Sequence, residues 1–274
     1  MSYFTALKLE REPFSTSPDP SFFYHSVEHT TALNRLEIAI RLRRGLSLVL
    51  GDVGTGKTTL SRALFQAFAG EEDEYIFHMI LDPSFKSEYQ FLVHLSKLFG
   101  ISPFFRSTVD HLEAIERYLF QKTVEEQKTV VLVIDESQKM LDGNLEILRT
   151  LLNYETNEYK MLQLVILGQM ELLPRIKSVH NFVDRISMKF IINPLDERET
   201  AAMIRFRLKE AGYHQDQELF TSEAMHRIHE YTRGYPRQIA LMCHNAIEHL
   251  VMRDCDVVTE SIIDRVIEQD KLWR

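Results

Sequence analysis

The amino-acid sequence predicts an α/β protein: a three-layer sandwich on a five-stranded parallel sheet, followed by an all-helical module. Three observations carry this. Five apolar runs of strand length alternate with segments of helical period up to Ile192. A glycine-rich loop joins the first of these runs to a helix. From Asn193-Pro194 onward only helical signal remains.

Residues 1–27 hold Phe4, Pro13, Phe14, Pro18, Pro20, Phe22, Phe23 and Tyr24. The prolines forbid a regular helix, and the aromatics predict an ordered strap packed on the domain. A helix is predicted from Glu28 to Arg43, with Leu33, Leu36 and Ile40 on one face. Its end, Arg41-Leu42-Arg43-Arg44-Gly45, reads as a solvated helix end rather than a binding patch. The run Leu46-Ser47-Leu48-Val49-Leu50 is a buried strand, and Thr59 onward to about Gly70 is a helix.

Between them lies Gly51-Asp52-Val53-Gly54-Thr55-Gly56-Lys57-Thr58, which reads G-x-x-x-x-G-K-T. Strand, glycine loop and helix is the context in which this motif binds phosphate. Glycines let the backbone curl so that successive N–H groups point at a phosphate chain, and the helix N-terminus adds partial positive charge. Gly51 to Thr59 are therefore the candidate ATP/ADP-binding residues. Lys57 reaches the β- and γ-phosphates, and the Thr58 hydroxyl is a candidate Mg²⁺ ligand.

Past an acidic loop, Glu71-Glu72-Asp73-Glu74, Tyr75 to Leu81 reads as a strand stopped by Asp82-Pro83. Helices follow over Ser87–Phe99 and Val109–Glu126. Thr129 to Ile134 is a continuous apolar run, the mark of a central parallel strand, and Asp135-Glu136 sits at its carboxyl end. Ligands of open α/β sheets bind at that edge. Asp135 can hold Mg²⁺, and Glu136 can polarise the attacking water. The wide spacing between loop and acidic pair suits an NTPase whose catalytic glutamate lies on a strand not adjacent to the loop strand. A helix over 146–155, a strand over Leu162–Leu167 ending at Gly168-Gln169, and a fifth strand over Met188–Ile192 complete the pattern. Gln169 can contact the γ-phosphate or the water, or be an ordinary turn residue. Arg185 precedes the fifth strand, where the alternative is a surface salt bridge.

In the helical module Asp196 with Glu199 forms a capping box for a helix ending at Gly212. Thr221-Ser222 caps the next, which ends near Gly234. Pro236 opens a third, to about Arg253, and Thr259 to Gln269 is the fourth. Arg237 follows Gly234-Tyr235-Pro236, where a guanidinium can swing onto bound phosphate; helix-surface charge is the plain alternative. The expected domains are 1–193, with the strap at 1–27, and a lid at 194–274.

Composition limits the partners. The 274 residues are 26% charged and 45% hydrophobic, ordinary for a soluble globular chain. No apolar run approaches the about 18–20 residues of a membrane helix, and Met1-Ser2-Tyr3-Phe4-Thr5 lacks a signal core. The expectation is a cytoplasmic protein, at most peripheral to the inner membrane. A net charge of −8 argues against a general nucleic-acid binder, without excluding a local basic patch. Cys243 and Cys255 are too few for a disulfide framework or metal cage and read as buried thiols.

Taken together, the loop at 51–58, Asp135-Glu136, Gln169, Arg185 and Gly234-Tyr235-Pro236-Arg237 resemble the ordered motifs of an AAA+ ATPase. The resemblance makes them Walker A, Walker B, sensor 1, arginine finger and sensor 2. The leader Pro13-Phe14, Pro18-Asp19-Pro20-Ser21-Phe22-Phe23-Tyr24, His29 and Ala32-Leu33-Asn34-Arg35-Leu36 is similar to that of the ExeA/GspA family. So are Leu167-Gly168-Gln169-Met170-Glu171-Leu172, Arg185-Ile186, Asn193-Pro194-Leu195 and Gly234 to Ile239. The resemblance implies an oligomer, ring or filament, joined by ATP-bridged interfaces and serving an envelope secretion or pilus system. The secretion member of the family continues into a membrane span and a peptidoglycan-binding region. This sequence shows neither, which predicts a stand-alone cytosolic motor or switch. Two rivals remain: a DNA-binding regulator of transposition, like the TniB and MuB groups, and a nucleotide-gated adaptor with negligible turnover.

Overall fold

The computed structural model describes residues 7–17, 19–102, 106–215 and 217–272. Phe4 and Pro18 of the expected strap lie outside them. Contacts gather the chain into two compact units. A sheet unit comprises Glu28–Val53 and Leu60–Ile192. A helical unit comprises the described residues of 1–27, 54–59 and 193–274.

The sheet unit is the predicted α/β sandwich. In chain order it runs α1 (Val27–Arg41), β1 (Leu46–Gly51), α2 (Lys57–Ala67), β2 (Tyr75–Ile80), α3 (Glu88–Leu98), α4 (Thr108–Phe120), β3 (Thr129–Ile134), α5 (Asp142–Leu151), β4 (Leu162–Gly168), α6 (Leu172–Ser178) and β5 (Ile186–Ile192). All strand pairs are parallel, in the order β2-β3-β4-β1-β5. Every residue of β1, β3 and β4 is buried, as strands covered on both faces must be. Edge strand β5 instead alternates, with Ser187 and Lys189 exposed, and a lysine there discourages further strand pairing. Leu46, Leu48, Leu50, Val130, Leu132, Ile134, Leu162, Leu164 and Ile166 share one core with side chains of α3 to α6.

The basic run after α1 is not a free patch. Arg41 grips Glu71 with two nitrogens, at 2.7 and 2.9 Å, and lies over Phe68. Arg43 donates to the Thr129 hydroxyl and the Gln127 carbonyl while covering Tyr159.

Several elements differ from expectation. The helix expected over 146–155 begins at Asp142 and ends at Leu151. Asp142-Gly143-Asn144 has turn composition, yet Arg175 holds the Asp142 carboxylate at 2.7 Å and the Glu88 side chain closes over Gly143. The helix expected to run to Glu126 leaves α-geometry after Phe120 and widens into a π turn over Gln121–Glu125. There the Thr123 hydroxyl donates to the Leu119 carbonyl at 2.8 Å, competing for the backbone acceptor. Helix α6 was not expected; Pro174 falls in its first turn, where the missing N–H costs nothing. Cys243 is buried, whereas Cys255 is exposed: it lies in the turn after the third lid helix, off the packed face.

The helical unit contains α7 (Glu197–Glu210), α8 (Ser222–Thr232), α9 (Pro236–Met252) and α10 (Glu260–Lys271). The Asp196–Glu199 capping box forms, Thr221 caps α8, and Pro236 opens α9. The leader belongs to this core. Phe14 is buried edge-on against Phe220 with ring centroids 6.0 Å apart, a burial worth about 1.5–3 kcal/mol. Glu10 N–H donates to the Ala211 carbonyl at 2.8 Å, and Arg207 reaches the Ser15 carbonyl at 3.1 Å. Burial lowers the Arg207 pKa, and Asp19 of the leader partly offsets this.

The turn into α9 needs glycine. Gly234 has φ +76°, and a Cβ there would overlap the Leu195 carbonyl. Its own carbonyl accepts from Leu195 N–H at 2.9 Å. Gly234→Ala is expected to cost at least about 1–2 kcal/mol from the left-handed backbone alone, read as a lowered thermal midpoint. An unchanged midpoint would show that this turn opens freely.

Candidate functional site

The parallel sheet presents all its carboxyl ends at one edge. There β1 ends at Gly51, β3 at Ile134 followed by Asp135, and β4 at Gly168 followed by Gln169. Strand β4 lies between β1 and β3. The acidic strand is thus not adjacent to the loop strand, as the spacing predicted, and β2 is an edge strand beyond it.

Asp135 is 1% exposed, and its N–H continues the β2–β3 ladder onto the Ile80 carbonyl at 2.8 Å. Its Oδ1 accepts from the Glu136 N–H at 2.8 Å. Glu136 occupies the left-handed region, φ 49° and ψ 35°, which is uncommon without glycine and costs about 1–3 kcal/mol. The Glu136 side chain leaves the strand here and accepts at Oε2 from Gln138 Nε2, 2.8 Å away. Gln138 Oε1 in turn accepts from the Gln169 N–H at 3.1 Å. Glu136 and Gln169 are therefore brought together through a residue that the sequence reading missed. The turn over Ser137–Lys139 that carries Gln138 is held by Arg175 of α6, which donates to the Gln138 carbonyl at 2.7 Å and also to the Met140 carbonyl. At the end of β2, the Ser84 hydroxyl and then Lys139 hold the Asp82 carboxyl below its ordinary range.

Arg185 does not join this group. It precedes β5, whose Ile186 pairs with Leu46 at the start of β1, so it lies at the amino edge. The length of a six-residue strand, about 20 Å, separates the two edges. Its guanidinium donates to the Asn153 carboxamide oxygen. Its Nε is buried without a partner among the described residues.

The loop continues into the helical unit at Gly54. Gly54 and Gly56 have φ +86° and +96°, so the curl that the motif requires is present. Thr55 is buried, Lys57 is 5% exposed, and Lys57 opens α2, with Thr58 and Thr59 in its first turn. The Gly54 carbonyl accepts from Arg237 N–H at 3.3 Å, and a Cβ on Gly54 would lie 3.1 Å from the Arg237 Cβ. The Arg237 residue itself is exposed. No cluster of three or more His, Cys, Asp or Glu able to hold a metal occurs among the described residues. The Thr58 hydroxyl and the Asp135 carboxylate are hard oxygen donors that suit Mg²⁺, an ion that fills its remaining positions with phosphate and water oxygens.

A profile of the AAA domain family matches residues 40–176, half of the chain. The chain belongs to the AAA domain family. General secretion pathway protein A of Aeromonas hydrophila is 35% identical over 248 residues, covering 87% of this chain and 43% of that protein. The AAA+ chain thus spans less than half the length of that relative, which bears out the ExeA/GspA resemblance of its motifs. Among solved structures, Drosophila ORC bound to DNA matches with TM-score 0.71 and 17% identity over 97% of this chain and 65% of that one. Aeropyrum pernix ORC2, in ADPNP–ADP complexes, matches with TM-score 0.68 and 15% identity over 95% and 71%. At these identities the structures speak for the fold alone. No helix among the described residues is long and apolar enough to cross a membrane.

The AAA+ fold with its phosphate loop implies nucleotide binding. Lys57→Ala is expected to weaken a fluorescent ATP analogue by at least about tenfold, the usual loss of a charge-assisted bond. Unchanged affinity in a titration would remove the loop from the site.

Proposed function

We propose that this chain is a Mg²⁺-dependent ATPase that works as an oligomeric motor or switch. The observation that carries the proposal is the pair at the end of β3: a buried Asp135 beside a Glu136 forced into a left-handed conformation, on the edge where β1 delivers the phosphate loop. Backbone strain at a sheet edge is the kind of cost that function maintains.

In this reading Gly51 to Thr59 cradle the phosphates, and Lys57 bonds the β- and γ-phosphates. Thr58 and Asp135 hold Mg²⁺, which supplies charge neutralisation at the phosphates. Glu136 accepts a proton from the attacking water, and Gln169 lies near the γ-phosphate. Arg237, at the start of α9, couples nucleotide to the lid. The nucleotide domain is 1–193 and the lid 194–274, with the strap at 1–27. The kinship with general secretion pathway protein A supports an envelope secretion or pilus system as the client, served from the cytoplasm or the inner face of the membrane.

Arg185 acts in trans. Its place at the amino edge, about 20 Å from the loop of its own sheet, supports service to a neighbouring copy across an ATP-bridged interface.

Two experiments test this. Glu136→Gln should retain ATP and release phosphate at least about 10²-fold more slowly; normal turnover would deny Glu136 its role. Arg185→Ala should bind ATP but lose about 10³-fold in rate. Mixed with Lys57→Ala subunits, which keep Arg185, it should regain part of the activity. Full turnover by Arg185→Ala alone, under conditions where the wild type is assembled, would refute action in trans.

A further inference from the structure

We infer that Gln138 is a positioning residue for Glu136, tying the direction of its carboxylate to the end of strand β4. The inference rests on the proposed role of Glu136 as base.

The argument begins with hydrogen-bond polarity. A carboxylate can only accept, and a backbone N–H can only donate. Gln138 stands between one of each: Glu136 Oε2 at 2.8 Å and Gln169 N–H at 3.1 Å. Its carboxamide can satisfy both in one orientation only, nitrogen toward Glu136 and oxygen toward Gln169. Glutamine is the one side chain of this length with a donor and an acceptor on the same planar group. Glutamate in its place would set carboxylate against carboxylate, and methionine would offer neither bond.

The rest of the turn makes the amide a fixed reference. Arg175 binds the Gln138 and Met140 carbonyls and also the Asp142 carboxylate at 2.7 Å, so the turn is tied to α6 and to the start of α5. The approach to β4 is close: a Cβ on Gly168 would lie 2.8 Å from Leu172 Cδ2 and 3.6 Å from Gln138 Oε1. Glu136 has three side-chain rotors on a strained backbone. The bond from Gln138 selects one direction for Oε2 and leaves Oε1 to take the proton of the attacking water. A displacement of the Gln169 backbone is passed through one amide to the base. Position, rather than ATP affinity, is what Gln138 supplies.

The test uses the full chain. Gln138→Met keeps length and volume and removes both bonds; it is expected to lower kcat by about 10–10²-fold, the cost of a misdirected group. KM for ATP should change less than about threefold, and the affinity for a fluorescent ATP analogue and the thermal midpoint should hold. Gln138→Glu should fall at least as far, and stands in if the methionine variant does not fold. The decisive measurement is a double-mutant cycle with Glu136→Gln. If Gln138 acts only through Glu136, Gln138→Met lowers the residual rate of Glu136→Gln no further. Losses that multiply in the double variant, a loss confined to KM, or a wild-type kcat in Gln138→Met would each overturn the inference while Glu136 stands. A Glu136→Gln variant at full rate, or a wild type that binds ATP without releasing phosphate, would instead sink the hydrolytic reading and this inference with it.

Discussion

The burial of three neighbouring strands on both faces is the constraint on which the sheet unit depends. Strands β3, β4 and β1 have no solvent side, so all must be apolar along their length and leave polar chemistry to their ends. Parallel pairing then puts every carboxyl end on one edge. Asp135, Gln169 and the first residues of the phosphate loop share that edge because nowhere else in the central sheet can carry them. The order β3-β4-β1 adds a second consequence. The end of β4 neighbours both the acidic strand and the loop strand, so its backbone is well placed to link them.

Much of this was legible in the sequence, for identifiable reasons. The five strands were readable because continuous apolar runs bounded by Gly, Asp-Pro and Asn-Pro have few alternatives at that length. The caps of the lid helices were readable because Asp196, Thr221 and Pro236 act within one turn, where local chemistry suffices. What stayed hidden depends on contacts distant in sequence. The first turn of α5 looks like a loop until Arg175 and Glu88 are placed against it. The exposure of Cys255 follows from the packed face of the lid, not from its neighbours in the chain.

Gln138 shows where residue-by-residue reading of the site ended. It lies two places after Glu136, and a polar side chain there looks like the start of an ordinary turn. Only the distances give it meaning, since its two partners come from the ends of different strands. Asn153 is a similar case: no spacing rule links it to Arg185, yet its carboxamide oxygen holds that guanidinium at the amino edge. The leader is intermediate. Its prolines and aromatics announced an ordered strap, and Phe14 and Glu10 then place it within the helical unit.

The helical unit follows a logic of its own, centred on the start of α9. A helix leaves its first backbone N–H groups without partners inside the helix. Pro236 at the first position has none to lose, and Arg237 N–H goes to the Gly54 carbonyl. The same turn requires Gly234, because the chain passes against Leu195 with no room for a side chain. Gly54 is itself held at positive φ, where a larger residue would meet Arg237. One glycine of the phosphate loop and one glycine of the lid turn are thus fixed by the same short stretch of α9. A rotation of that helix must either carry the Gly54 carbonyl with it or give up the bond. The loop's conformation and the lid helix are therefore mechanically one element, whatever the nucleotide state.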